Sequence, residues 1–215
     1  MRVGELSRRS GVPIATIKYY LREGLLTSGV ATAANQADYS EGHLHRLRLI
    51  RALIDVGGVS VAGAREAIAA IETHADDPLE LLGSAQSAIA PKHRRDRETA
   101  DWQAARERVT ALIAERGWLI RPDSPGIDVV ADALAAGESL GVDLLVERLD
   151  QYADAAMALA GLEVGTVLNR TDPASRMELV VLGTVLGEAL FSALRLLAHQ
   201  HESARQLGRG RRRPT

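Results

Sequence analysis

The sequence predicts a mainly α-helical protein, with an N-terminal winged helix-turn-helix followed by a C-terminal helical bundle. Aromatic residues make up only 3% of the 215 residues, whereas 46% are hydrophobic, and alanine, leucine and valine dominate that fraction, which favours helices over sheets. Apolar residues recur at helical spacing along most of the chain. Near the N-terminus two short predicted helices flank a glycine, and a small polar segment follows them.

The first predicted helix covers Val3 to Ser10, and the second lies within Val12 to Leu26. Pro13 suits the opening of a helix, because the N–H that proline lacks would have no partner there. Gly24 suits its end, where the chain needs a positive φ. A glycine turn between two such helices is typical of a helix-turn-helix.

On a helical wheel of the second helix, Ile17, Tyr20 and Leu21 share an apolar face. The rest of its surface carries a hydroxyl, two cations and a phenol, from Thr16, Lys18, Tyr19 and Arg22. Such groups suit phosphate oxygens and base edges in a major groove. For this helix alone, an ordinary amphipathic helix with a solvated face is the commoner explanation.

The polar segment Thr27 to Asp38 predicts a loop or small hairpin, and a polar loop after such a helix is a candidate wing. We expect Tyr39 to pack its ring on the head. Ser40 and Ser60 each precede a further predicted helix as an N-cap. The apolar stripes of these helices are Leu44, Leu47, Ile50 or Arg51, and Ile54 in the first, and Val61, Ala64, Ile68 and Ile71 in the second.

Residues 1 to about 73 resemble the head of the MerR family of bacterial transcription regulators. The matching string is VGELSRRSGVPIATIKYYLREGLL, then the candidate wing ending in Tyr39, then HLHRLRLIRALIDVGGVSVAGAREAI. The resemblance implies a winged-helix head that binds inverted-repeat promoter DNA as a homodimer and bends it for RNA polymerase. It places these residues at or near the DNA: Thr16, Lys18, Tyr19, Tyr20 and Arg22.

The sequence departs from the family pattern at three places. Leu21 stands where an acid is common, and apolar packing is the simpler account of it. Lys18 stands where the family usually has arginine, which keeps a positive charge but loses bidentate geometry. The candidate wing has no cation between Glu23 and His43, where family wings commonly carry an arginine. Wing contacts would then come from the amides of Asn35 or Gln36 or from the backbone, and both amides equally fit a solvated loop.

Charge and composition narrow the class of protein. The formal net charge is only −2, but cations outnumber acids before Asp55, and Arg148 is the only cation between Ile127 and Glu163. A basic head and an acidic body fit a DNA-binding protein whose body stays off the DNA.

The absence of cysteine excludes disulfides, thiolate metal sites and cysteine nucleophiles. No catalytic constellation, cofactor motif or metal-ligand spacing is visible, so we expect a cytoplasmic regulator and not an enzyme.

After a head of residues 1–73, we expect a connecting or dimerisation helix and charged linker over 74–98. An all-helical effector or dimerisation domain should cover 99–207, and a disordered basic tail 208–215. The predicted helices of the body are Ala100 to Arg116, one that follows the turn at residues 123–126 and ends near Ala136, Val142 to Leu162, and Ala174 to about Gln206.

Two features of the body leave alternatives open. Its large apolar residues either line a small-molecule effector pocket or simply form the core; they are Trp102, Trp118, Tyr152, Met157 and Phe191. Gly183 and Gly187 allow a close helix–helix contact, either within the chain or at a dimer seam.

The last helix is nearly long enough to cross a membrane, but Glu188 and Arg195 lie inside it and disfavour that interpretation. The rival function is a DNA-localised protein-interaction module whose helical body recruits a protein partner without a small ligand.

Overall fold

The structure is a computed structural model that describes residues 1–33, 36–73, 83, 97 and 99–207. The chain divides into two compact units: Met1–Ala69 with Val181–Thr215, and Ala70–Val180. The predictions for Asn35, for the connecting helix and most of the charged linker, and for the basic tail lie outside the described residues.

The first unit begins with two short helices, α1 (Val3–Ser10) and α2 (Ile14–Arg22). The bounds of α1 are those predicted. Helix α2 is shorter than the predicted segment, because Pro13 is extended (φ −57°, ψ 143°) and Gly24 takes a φ of +72°, which ends a helix.

A two-stranded antiparallel hairpin follows α2 at the position of the predicted wing. Its strands are β1 (Val30–Ala33) and β2 (Gln36–Asp38), with Val30 opposite Asp38. Helix α3 (Glu41–Arg51) starts after Ser40 as predicted, and the backbone N–H of Ser40 donates to Nδ1 of His43 at 3.1 Å.

The helix predicted to continue to the Gly57-Gly58 pair changes into a π-helical segment, Ala52–Val56. A π turn holds more residues than an α turn, which shifts the inward-facing position. Leu53 is therefore fully buried, whereas Ile54, predicted to face inward, is half-buried. Helix α4 (Val61–Thr73) follows, and the Ser60 hydroxyl accepts from the N–H of Gly63 at 3.1 Å.

In the second unit, α5 (Ala100–Glu115) packs against α6 (Pro125–Ser139). Helix α6 runs three residues beyond its predicted end. The buried residues between the two helices are Trp102, Ala105 and Val109 from α5, and Ile127, Ala131 and Leu134 from α6.

The single helix predicted over Val142 to Leu162 is instead two helices, α7 (Leu144–Glu147) and α8 (Leu149–Leu168). Arg148 adopts a φ of −107° and a ψ of 10°, which interrupts the helical backbone. Helix α9 (Pro173–Gln206) begins where expected, with the Asp172 carboxylate accepting from the N–H of Ser175 at 2.8 Å.

Among the described residues, one segment is long and apolar enough to cross a membrane, Glu178–Gln206 in α9. Length and composition alone do not distinguish a membrane span from a helix that packs on protein. Glu188 and Arg195 lie within this segment, and charged side chains at bilayer depth are costly.

Candidate nucleic-acid interface

Helix α2 has one face in the core and one face in solvent. Ile17 is fully buried and Tyr20 is 6% exposed. Lys18 and Arg22 are exposed, and Thr16 and Tyr19 are half-buried. The apolar spacing of the sequence therefore predicted which residues of the helix face the interior.

Tyr20 was predicted to lie near DNA, and the structure places its ring in the core instead. Burial is the main reason that the pKa of its hydroxyl is raised. Its carbonyl oxygen accepts from the N–H groups of Leu25 at 3.0 Å and Leu26 at 3.2 Å. The buried ring gives Tyr20 a packing role. The other four candidate residues of α2 are exposed or half-buried.

The exposed side of α2 carries a cation over an aromatic ring. The guanidinium carbon of Arg22 lies 5.9 Å from the centre of the Tyr19 ring, within the range of a cation–π contact. The Tyr19 and Tyr20 rings lie 5.9 Å apart and are tilted by 47°. Arg22 is thus supported from one side by an aromatic pair, and its N–H donors remain available.

The cations of the head fall into two groups. Three arginines form ion pairs: Arg2 with Asp38 at 3.4 Å, Arg9 with both oxygens of Glu41, and Arg51 with Asp55 at 2.8 Å. By contrast, Lys18 and Arg22 pair with no carboxylate in the described part of the chain, and the same holds for Arg8, Arg48 and Arg65 elsewhere in the head. Sequence reasoning missed this division, because Arg2 and Arg9 meet partners 36 and 32 residues away.

Hydrogen bonds at both ends hold α2 in place. Before the helix, the Ser7 hydroxyl donates to the carbonyl of Val12 at 2.6 Å, and the N–H of Val12 donates to the Ser10 hydroxyl at 3.2 Å. After the helix, Nε of Arg46 donates to the carbonyl of Leu25 at 2.8 Å. The exposed face of α2 therefore projects from a rigid frame.

The hairpin is exposed on nearly every residue, including Gln36. At its base the backbone of Gly29 packs closely on Asp38: a β-carbon added to Gly29 would lie only 2.5 Å from the carbonyl oxygen of Asp38. Arg2 donates to the Thr32 hydroxyl at 2.5 Å, beside its ion pair with Asp38. An isolated hairpin of this size is marginally stable in water, so these anchors set its position.

The comparison with known families agrees with this architecture. Residues 1–71 match the family described as MerR HTH family regulatory protein. A solved structure, that of the candidate transcriptional regulator SCO5550 from Streptomyces coelicolor A3(2), is similar over 97% of this chain and 98% of its own, with 36% sequence identity and a TM-score of 0.70. The chain belongs to the MerR family.

Two curated proteins are similar to this MerR-family chain over almost two thirds of its length. The HTH-type transcriptional regulator HmrR of Sinorhizobium medicae (strain WSM419) is 29% identical over 65% of this chain and 92% of its own length. Heavy metal-dependent transcription regulator 2 of Rhizobium meliloti (strain 1021) is 28% identical over 63% of this chain and 89% of its own length. Both are transcription regulators by name, which supports a DNA-binding regulator here.

The residues predicted to line an effector pocket in this MerR-family chain have different surroundings. Trp102 belongs to the core, and its Nε1 donates to Asp132 at 2.8 Å. Trp118 is half-buried with Arg116 over its ring at 5.9 Å. Tyr152, Met157 and Phe191 are each more than 40% exposed. Only Trp102 of the five therefore has the buried position that an enclosed apolar pocket would require.

Proposed function

We propose that this MerR-family regulator binds promoter DNA as a homodimer, with α2 of each head in the major groove of one half of an inverted repeat. The observation that carries the proposal is that both cations on the exposed face of α2 lack an ion pair among the described residues. Lys18 and Arg22 stay unpaired on the exposed face of α2, whereas Arg2, Arg9 and Arg51 are held in ion pairs. Unpaired cations on a rigid helix suit phosphate and base contacts.

Each exposed residue of α2 has a chemical role in this proposal. Arg22, positioned by the Tyr19 ring, can donate two hydrogen bonds to the edge of a guanine or to a phosphate. Lys18 supplies a point charge for a phosphate. The hydroxyls of Thr16 and Tyr19 are short-range donors to phosphate oxygens.

The β1–β2 hairpin acts as the wing in this proposal. Its residues contribute almost nothing to the core, while Gly29 and Arg2 anchor its base. A hairpin that is anchored but exposed is available to lie along the DNA backbone. Since it carries no cation, its contacts come from the Gln36 amide, from Asn35 and from backbone N–H groups, which bind phosphates without reading sequence.

The proposal assigns no effector to the body. The residues considered for a pocket are core, half-buried or exposed in the structure. One relative is named for dependence on heavy metals, but this sequence contains no cysteine, the ligand that soft heavy metals prefer. The described residues also contain no group of three or more His, Cys, Asp or Glu side chains arranged to hold a metal ion.

A mobility shift on the DNA upstream of the protein's own coding sequence tests the assignment of α2. We expect Arg22→Ala to weaken binding by roughly 30-fold or more, because each of the two heads loses an arginine–base contact worth about 1–3 kcal/mol. Arg121→Ala is the control, because it removes another exposed cation, in the other unit, where Arg121 pairs with Asp123. Equal affinities for Arg22→Ala and wild type at moderate salt would refute the site.

The same assay tests the inverted repeat. Once a bound fragment is mapped, duplexes that carry both half-sites or only one are compared at equal length. We expect two half-sites to bind far more tightly, because the second head binds at a high effective concentration once the first is bound. Equal affinity for one and two half-sites would show that a single head accounts for binding.

A further inference from the structure

The first two residues of the chain lie against the hairpin, although they are far from it in sequence. The nitrogen of Met1 donates to the carbonyl of Tyr39 at 2.7 Å, and the N–H of Tyr39 donates to the carbonyl of Met1 at 2.7 Å. Such a reciprocal pair joins directly opposite residues of an antiparallel ladder. Tyr39 is buried and directly follows β2, so the pair fastens the end of β2 to the start of the chain.

The Arg2 side chain contacts both strands of the hairpin. Its Nη1 donates to the hydroxyl of Thr32 on β1 at 2.5 Å, and its Nε lies 3.4 Å from Oδ1 of Asp38 on β2. The Thr32 hydroxyl in turn donates to the carbonyl of Gln36 at 3.2 Å. One guanidinium group therefore connects the two strands to the residue that precedes α1.

The backbone of Arg2 begins α1. Its carbonyl accepts from the N–H groups of Glu5 and Leu6, both at 3.0 Å, and the Leu6 side chain is fully buried. Helix α1 also supports α2, because the hydroxyl of Ser7 donates to the carbonyl of Val12. The hairpin and α2 are thus fastened to the same helix, and Arg2 is the link on the hairpin side.

Asp38 is the only ionisable residue in the hairpin sequence, residues 30–38. Its side chain is 49% exposed. An unpaired carboxylate on a wing that lies along DNA would be repelled by the phosphates. The hairpin sequence contains no cation of its own, so the compensating charge comes from outside it, from Arg2.

We propose that Arg2 is a positioning residue for the wing: it fastens the hairpin to α1 and neutralises Asp38, and it does not itself contact DNA. An exposed ion pair contributes little to the stability of a fold, so its effect should appear in DNA binding and in local opening of the hairpin. The inference rests on the proposed function, in which the hairpin lies along the DNA backbone. It deepens that function by naming a residue outside α2 and outside the hairpin that sets the affinity for DNA.

A mutant cycle between Arg2 and Asp38 tests the neutralisation, in the full chain on the mapped operator fragment. We expect Arg2→Ala to weaken binding by roughly 3- to 30-fold, because each of the two wings then carries an unpaired carboxylate. Asp38→Asn alone should bind at least as tightly as wild type. The double variant should bind more tightly than Arg2→Ala, because it has no carboxylate left to repel the phosphates. A double variant that binds no better than Arg2→Ala would overturn the neutralisation.

The salt dependence of the double variant distinguishes neutralisation from a direct phosphate contact. Arg2→Ala combined with Asp38→Asn leaves the net charge of the chain unchanged, so the slope of log affinity against log salt should equal that of wild type. If Arg2 bound a phosphate in each of the two heads, the slope would fall by about 1.8. That result would overturn the positioning role and assign Arg2 to the DNA interface.

Amide hydrogen exchange of Tyr39, measured by NMR without DNA, tests the attachment to α1. The N–H of Tyr39 donates to Met1, the neighbour of Arg2, so loss of the Arg2 contacts should let this end of the hairpin open more often. We expect Arg2→Ala to speed the exchange by roughly 3- to 10-fold. Arg8→Ala should leave it unchanged and is the control, because Arg8 is a cation of α1 that pairs with no carboxylate in the described part of the chain. An unchanged rate in Arg2→Ala would refute the attachment.

These outcomes differ from those that decide the proposed function. The effect of Arg22→Ala concerns α2 and does not involve the hairpin. The exchange of Tyr39 is measured without DNA, so it decides the attachment even where the inverted repeat is refuted. An Arg2→Ala chain that binds the operator as tightly as wild type, while Arg22→Ala still weakens binding, would refute this inference and leave the proposed function in place.

Discussion

Val185 of α9 lies directly on the backbone of Gly57, the residue that follows the π-helical segment. A β-carbon at position 57 would overlap Cγ1 of Val185 and lie 2.8 Å from the carbonyl oxygen of Leu53. The φ of Gly57 is −76°, which any residue can adopt. The glycine is therefore required by close packing and not by backbone conformation.

Gly57→Ala should lower the free energy of unfolding by about 1–3 kcal/mol, the usual cost of forcing an extra methyl group into a packed site. Urea denaturation followed by circular dichroism measures it. Gly165→Ala in α8 is the control, because a β-carbon there meets nothing within 4 Å; it should raise stability by about 0.5–1 kcal/mol through better helix propensity. A neutral Gly57→Ala would mean that Val185 does not pack on this glycine.

Trp102→Phe should destabilise the second unit by about 1–2 kcal/mol, because it leaves a mostly buried Asp132 oxygen without its indole donor. Trp118→Phe is a matched change at a half-buried ring whose described contact is the cation of Arg116, and it should cost no more than about 0.5 kcal/mol. Thermal unfolding compares the two. Each variant leaves one of the chain's two tryptophans as the fluorescent reporter. Equal losses of stability in the two variants would contradict the assigned hydrogen bond.

Lys18→Ala should reduce the slope of log affinity against log salt by about 1.8, because each of the two heads on the operator loses one phosphate contact worth about 0.9. Lys18→Arg is the control. It replaces the lysine side chain but keeps the positive charge, so the slope should not change. Fluorescence anisotropy titrations of a labelled operator at four salt concentrations measure both. An unchanged slope in Lys18→Ala would remove Lys18 from the DNA contacts.

The Glu41 carboxyl should titrate below its ordinary pKa of 4.5, because hydrogen bonds from Arg9 favour its ionised form. A group whose pKa is lower in the folded state contributes stability above its unfolded pKa, and this contribution is lost as the pH falls through the folded value. The loss is therefore expected below pH 4.5. Carbon-13 NMR titration of Glu41 measures the pKa, and Arg9→Ala should return it towards 4.5; a normal value in wild type would show that the ion pair does not persist in solution.

Several elements followed from short-range sequence signals. The bounds of α1, the start of α3 after Ser40 and, to within one residue, the start of α9 near Ala174 were all predicted. Caps and helix breakers act within one turn of the chain, so their effects are visible in the sequence. The inward positions of Ile17 and Leu47 followed from helical spacing for the same reason.

Other features depended on contacts that the sequence does not display. The break at Arg148 and the π-helical segment Ala52–Val56 lie where helical spacing continues without an obvious breaker. The apolar residues of the body show the same limit, because Tyr152 and Met157 satisfy an apolar pattern and yet remain about half exposed. An apolar pattern shows which residues can be buried, but it does not show what covers them.

The sequence by itself determined the family, the helix-turn-helix and the amphipathic character of α2, since these depend on residues close together in the chain. Only the tertiary structure decided which head cations remain available. Arg9 meets Glu41 and Arg2 meets Asp38 across more than 30 residues, whereas Arg22 stays unpaired beside Tyr19. Ion pairs depend on distance in space, and residues far apart in sequence become neighbours only after the chain has folded.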